Sequence, residues 1–152
     1  MTSPSARLRE LGLTLPSVVA PAGSYVPARR SGALVYTAGQ LPFVDGALGA
    51  TGKVGAEVTP EQGKDLARTC ALNALAAIDA LIGLDTVAGV VKVVGFVASA
   101  PGFTGQPGVI NGASDLLADV FGEAGRHARS AVGVAELPLG APVEVELVVE
   151  LA

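Results

Sequence analysis

Along residues 143–150 the chain alternates: Val143, Val145, Leu147 and Val149 project to one side of an extended segment, and Glu144, Glu146, Val148 and Glu150 to the other. A period of two marks a strand with one face buried, so a strand is expected over 143–151. From residue 59 the period lengthens to that of a helix. Thr59 can cap free amides with its hydroxyl, Pro60 suits the first helical position and Gln62 completes a capping box. Leu66, Cys70, Ala74, Ile78 and Leu81 then recur at helical spacing until Gly83 ends the run. Val87 to Ala98 is rich in β-branched residues and reads as a strand buried on most sides. After a loop rich in Pro and Gly over 100–108, Val109, Ala113, Leu116, Leu117, Val120 and Phe121 predict a second helix, stopped by Gly122.

Nearer the start, 25–32 and 33–39 read as two strands around a Ser-Gly turn. The second runs on toward Val44, where Asp45-Gly46 supplies hairpin chemistry because both residues tolerate positive φ. A strand over about 128–135 and the alternating strand come last, joined by 137–142. The order is ββ(β)αβαββ, an α+β layout with two helices packed on one face of a mixed sheet. No repeat, low-complexity tract or linker interrupts it. Residues 1–152 are therefore expected to form a single domain, with 1–23 an N-terminal extension carrying a short helix.

Composition narrows the partners. Half the residues are hydrophobic but only 4% are aromatic, so Val, Ala and Leu must build the core. A net charge of -4 provides no basic field to concentrate phosphates, which argues against nucleic acid. Asp79, Asp85 and Lys92 cut the hydropathic stretch 71–100 into pieces too short to span a membrane. Cys70 is alone, so no disulfide forms within the chain, and the opening residues hold no apolar signal-like run; a cytoplasmic location is expected.

Candidate chemistry is sparse. One His and one Cys far apart do not make a metal cluster, so no metal site is expected. Residues 46–53 resemble a phosphate loop only faintly, since Ala47 stands where its first Gly is needed and Val54 replaces the hydroxyl. Gly112-Ala-Ser-Asp-Leu116 misses the nucleophile-elbow pattern at its last position. Cys70 lies on the helical apolar stripe and reads as a small buried hydrophobe. Arg129 stands out, a cation flanked by Ala128, Ser130, Ala131 and Val132. If 137–142 makes a simple antiparallel hairpin, Glu150 faces Arg129 and Glu144 faces Ala135. Arg129 is then either a cross-strand partner of Glu150 or a ligand anchor. In that register Glu144 lies roughly 20 Å from Arg129 along the sheet, so the two share no ligand within one chain.

At these residues a resemblance appears. Arg129-Ser-Ala-Val-Gly-Val-Ala-Glu-Leu-Pro138, followed by Val143-Glu-Val-Glu146, resembles the C-terminal pattern of the Rid/YjgF family. Its members are often labelled endoribonuclease L-PSP and include enamine/imine deaminases. The likeness extends through Tyr25, Gly39-Gln40-Leu-Pro42 and Ile110-Asn111, and covers about 24–152. It implies a chorismate-mutase-like α+β fold and a homotrimer with clefts between subunits, where Arg129 of one subunit could meet Glu144 of the next. By the same resemblance, Arg129 binds a substrate carboxylate and Glu144 orients the attacking water. Tyr25, Gly39, Gln40, Asn111, Ser130 and Ala131 would line the cleft, and no metal or organic cofactor is implied. An Arg fork matches a carboxylate bidentately, and a protonated imine needs only placed water and proton transfer.

The chain departs from that pattern at Ala38, Ala131 and Gly133, which stand where relatives commonly carry Ser, Cys and Glu. These changes place it nearer a bacterial branch whose substrates are undefined. His127 reads either as a hydrogen-bonded structural residue or as a general base. Asn111 reads either as a helix cap or a ligand contact, and Tyr25 as strand filling or a ligand contact. The expected activity is hydrolysis of reactive enamine/imine intermediates from amino acids to 2-oxo acids and ammonia. The alternative is a non-catalytic trimer that binds small carboxylates such as 2-oxo acids, with a ribonuclease third. Val143, Val145, Leu147 and Val149 form a face more apolar than two helices are expected to cover, which is a separate argument for assembly.

Overall fold

The computed structural model describes residues 2–152. Strands β1 (Ala28–Ser31) and β2 (Leu34–Thr37) form a tight antiparallel pair around Gly32, whose φ of 60 suits the turn. Beyond β2, β3 (Phe43–Val44) and β4 (Ala47–Leu48) make a separate small hairpin, with Asp45 and Gly46 both at positive φ as their chemistry requires. Helix α2 (Pro60–Ile82) begins at Thr59 with both reciprocal bonds of the capping box, and Gly83 caps its end at φ 78. Strand β5 (Val87–Ala98), helix α3 (Gln106–Phe121), strand β6 (Ala128–Val134) and strand β7 (Val143–Leu151) follow.

The strands assemble in the order β1-β2-β7-β5-β6. This overturns the simple hairpin between the last two strands. β6 runs parallel to β5, with Arg129 opposite Val93, and α3 is the crossover between them. Parallel neighbours need such a crossover. The segment before β7 instead turns through a short 3-10 stretch, Pro138–Gly140, with Leu139 at φ 61, and sends β7 to the middle of the sheet. Glu150 lies opposite Leu34 and Gly89, not opposite Arg129.

Helices α2 and α3 cover one face of the central strands. Val143, Val145, Leu147 and Val149 are at most 1% exposed within one chain, so the apolar alternation is used up internally and is no argument for assembly. The uncovered face carries Tyr36, Val94, Phe96, Val132 and Val148 among Glu144, Glu146 and Lys92. On α2 the buried stripe runs through Ala67, Cys70, Ala71, Ala74, Leu75 and Ile78; Leu81, expected on it, is 45% exposed.

The N-terminal segment is part of the fold. Helix α1 (Pro4–Glu10) is capped by Ser3 and buries Leu8. The hydroxyl and amide of Ser5 donate to the carboxylate of Asp85 at 2.6 and 2.8 Å, and these bonds hold Asp85 below the usual carboxylate range. Arg7 Nε donates to the carbonyl of Asp119 at 2.9 Å. From this anchor residues 12–27 run irregularly across the molecule to β1. Among the described residues no helix is long and apolar enough to cross a membrane.

Candidate functional site

The residues singled out by sequence fall into two groups on one chain. The first group lines a cavity of about 810 Å³ beside the start of β7. Glu144, Gly39, Gln40 and Tyr25 all contribute to its wall. Gln40 is positioned by the backbone: its amide and carbonyl pair with Val145 at 2.8 and 3.1 Å, which ties the segment after β2 to β7. Gly39 is present because Glu144 leaves no room for anything larger. A Cβ there would stand 2.7 Å from both Cδ and Oε2 of Glu144. The carboxyl thus rests against bare backbone, half-buried, and its pKa is raised first by burial and then by the charge of Glu146. A carboxylate so placed is suited to accept a proton from water. The thiol of Cys70 is wholly buried, raised by burial and then by Glu144, and is structural as its stripe position suggested.

Sequence reasoning missed much of this cavity. Residues 16–22 of the N-terminal segment form one wall, and Asp45 and Asn73 join it. Asn73, 1% exposed on α2, donates through Nδ2 to the carbonyls of Leu41 and Phe43, both at 3.0 Å, and so fixes the loop after Gly39. Its Oδ1 is buried with no partner. The available signal was an Asn within the otherwise apolar run Cys70–Ile78. Tyr25 is 51% exposed, and its hydroxyl accepts from the amide of Ala22 at 3.1 Å, so it braces that wall.

The second group surrounds Arg129. Its Nη1 donates to Asn111 Oδ1 at 2.7 Å and to Ser114 Oγ at 3.2 Å, and Nη2 to the carbonyl of Pro107 at 3.3 Å. No ion pair engages it among the described residues, so its charge is free for an anion. Asn111 lies inside α3, five residues after its first, and orients the guanidinium rather than capping the helix. Ser114 also meets Nε2 of His127 at 2.9 Å, while Nδ1 of His127 lies 2.6 Å from the carbonyl of Gly125. The carbonyl can only accept, so Nδ1 is the donor to it, and Nε2 shares a hydrogen bond with the Ser114 hydroxyl. His127 is accordingly a bonded structural residue that steadies Ser114. Ala131 shares the Arg129 face and packs on the core, whereas Ser130, opposite Val94, turns to the uncovered face. At Gly133 a Cβ would lie 2.8 Å from Gln106 Nε2, so the Gln106 amide occupies the space a side chain would take.

The two groups do not meet within one chain. Arg129 stands opposite Val93, and Glu144 opposite Phe96 on the far side of β5. Three residues along and two strands across make roughly 14 Å between their backbones, shorter than the hairpin register implied. They also point to opposite faces, Arg129 toward α3 and Glu144 away from the helices.

A mixed α+β sheet with this crossover to a parallel edge strand, and an Arg and a Glu displayed on opposite faces, define a class of fold that comparison makes specific. Residues 5–151 match the family described as "YjgF/chorismate mutase-like, putative endoribonuclease". The chain belongs to this family and has its chorismate-mutase-like fold. It is 50% identical over 149 residues to Protein TCP17 of Trypanosoma cruzi, covering 97% of this chain and 93% of that one. It is similar to a "putative endoribonuclease" from Shewanella oneidensis, 35% identical, with a TM-score of 0.94 over 98% of this chain and 99% of the other. Escherichia coli TdcF, solved with bound serine, is 26% identical, with a TM-score of 0.66 over 91% of this chain and 96% of that one. The family likeness thus takes in the N-terminal segment, and the relatives extend beyond bacteria.

Proposed function

We propose that this protein hydrolyses imines derived from amino acids, at sites completed between subunits of a homotrimer. The observation that carries the reading is the division of labour on one chain. Arg129, oriented by Asn111 and Ser114 and without an ionic partner, offers a carboxylate-matching fork. Glu144, pressed on Gly39 in a cavity, offers a proton acceptor but no cation to hold an anionic substrate. A neighbouring copy that brings its Arg129 to this cavity completes both requirements. Serine bound to TdcF is an amino-acid ligand of that relative, which supports a substrate of the same chemistry here.

In this scheme Arg129 of one subunit fixes the substrate carboxylate, and the protonated C=N group lies over Gly39 beside Glu144 of the next. Glu144 takes a proton from water as the oxygen adds to the imine carbon. It returns that proton to nitrogen; the adduct's hydroxyl then gives its proton to Glu144 as the C–N bond breaks, and Glu144 passes it to the departing ammonia, leaving 2-oxo acid and ammonium. One water is consumed per imine, with no change of oxidation state.

Ammonia release from 2-iminobutanoate, generated in place by an amino-acid oxidase, tests the activity. Arg129→Ala and Glu144→Gln should each be inactive. Mixed and allowed to exchange subunits, they should regain about a quarter of wild-type activity, the statistical share of interfaces holding both intact residues. Folded parents that regain nothing refute the composite site, and wild-type binding of 2-oxobutanoate without acceleration of hydrolysis refutes catalysis.

A further inference from the structure

Resting on that reading, we propose that the cavity selects imino acids with a long apolar or aryl side chain, and that residues 16–22 form the wall against which this tail packs. The cavity measures about 810 Å³. At roughly 30 Å³ per water molecule it could hold about 27 waters, far more than a short imino acid displaces. Sites of this size, roughly 300–1,000 Å³, ordinarily enclose ligands as large as drugs.

The lining has the chemistry of a tail pocket. Val18, Val19, Leu41, Phe43 and Leu139 give it apolar walls, while Glu144 and Asp45 are its only charged residues. No Lys, Arg or His lines it. A substrate carboxylate is therefore repelled from this space and must point out toward the neighbour's Arg129, which leaves the space to the uncharged end of the molecule. The wall is also built, not loosely draped. On one side α1 is pinned by buried Leu8, by Ser5 on Asp85 and by Arg7 on Asp119; on the other the Tyr25 hydroxyl holds the amide of Ala22. Asn73 fixes the facing loop through the carbonyls of Leu41 and Phe43. Walls held at this separation keep the volume open, and apolar surface facing it is stabilised by an apolar occupant.

Calorimetric titration of the full chain with the product series 2-oxobutanoate, 2-oxohexanoate, 2-oxooctanoate and phenylpyruvate tests the assignment. Affinity should rise about fourfold per buried methylene, or roughly 250-fold over the four methylenes from 2-oxobutanoate to 2-oxooctanoate. Val19→Trp, which narrows the tail space, and Val19→Asp, which puts a charge on its apolar wall, should each cut that gain about tenfold. Arg129→Ala should weaken the whole series alike. Binding that depends on Arg129 but is flat with chain length overturns the tail pocket and leaves the imine reading standing. A gain with length left undiminished by both Val19 variants also overturns it, because the tail then lies elsewhere. No binding by any member, or binding indifferent to Arg129, overturns the imine reading and this inference with it.

Discussion

Arg129→Ala separates ligand anchoring from structural support, because the two predict losses in different quantities. The substitution deletes three hydrogen bonds, at 2.7, 3.2 and 3.3 Å. Two of their acceptors, Asn111 Oδ1 and the Pro107 carbonyl, lie at exposed positions where water replaces the guanidinium. Only the Ser114 contact is partly sheltered, and Ser114 keeps His127 as a partner. The net cost is thus about one ordinary hydrogen bond, roughly 1 kcal/mol, or about 2–4 °C in Tm for a chain of this size. No carboxylate is stranded, since no ion pair includes Arg129 among the described residues. Carboxylate affinity, in contrast, should fall by about 2–4 kcal/mol, the scale for truncating one side of a desolvated charge pair, or roughly 30- to 1,000-fold. Arg129→Lys should recover part of this, because a point charge lacks the bidentate fork. Titration of 2-oxobutanoate beside thermal denaturation reads both quantities. Unchanged affinity with a Tm loss beyond about 8 °C would refute the anchor assignment. Combining Arg129→Ala with Glu150→Gln should show no coupling, since Arg129 on β6 and Glu150 on β7 are separated by β5.

Gly39→Ala should displace Glu144, whose carboxyl would lie 2.7 Å from the new Cβ; kcat should fall about 100-fold for a misplacement of this kind, with a small change in Tm. Burial and the charge of Glu146 raise the Glu144 pKa, so folding disfavours its ionised form. The protonated form's contribution is present below the ordinary carboxylate pKa and lost as pH rises through the raised folded value. Glu144→Gln should therefore gain stability over wild type above that window and little below it in urea unfolding across pH, while Glu146→Gln should move the acid limb of the rate profile to lower pH. Gly112→Ala should cost about 3 kcal/mol or prevent folding, because a Cβ there collides with the backbone carbonyl of Lys64 where α3 crosses α2; denaturant midpoint against the methyl-deleting control Ala113→Gly would show a larger loss at position 112.

Local physics made the elements readable and left their arrangement open. The Thr59 capping box, the Val87–Ala98 strand and the β7 alternation appear where residue chemistry puts them, because caps, β-branching and period-two burial act within a few residues. Strand order does not follow from such signals. A short connection suggested a hairpin between β6 and β7, yet Pro138, Pro142 and the positive φ of Leu139 redirect the chain, and the β5–α3–β6 crossover takes the place beside β5. The preference for parallel strands around a crossover helix was the unused clue. Pro16, Pro21 and Gly23 give the segment after α1 no period at all, so its place in the cavity wall arises only from tertiary contacts. Arg129 stood out as a cation among small and β-branched residues, and the roles expected of Arg129 and Glu144 came from the family pattern. Their opposite orientations follow from the alternation of β7 together with the parallel register of β6, which only the structure supplied.

The central position of β7 also sets the order in which the protein can be made. Its partners are β2 on one side and β5 on the other, yet of the seven strands among the described residues it is the last to be synthesised. While a ribosome is still adding residues 143–151, β1–β2 and β5–β6 can exist only as two separate strand pairs, each with a bare edge facing the gap. Elongation at roughly 5–20 residues per second holds the nascent chain in that divided state for about half a second to two seconds. The pairing of Val35 with Val149 spans about three quarters of the chain, and closure over such a separation is slow. A holdase that shields the edges of β2 and β5 during translation would raise the yield of folded protein, whereas one released before Leu151 emerges would not.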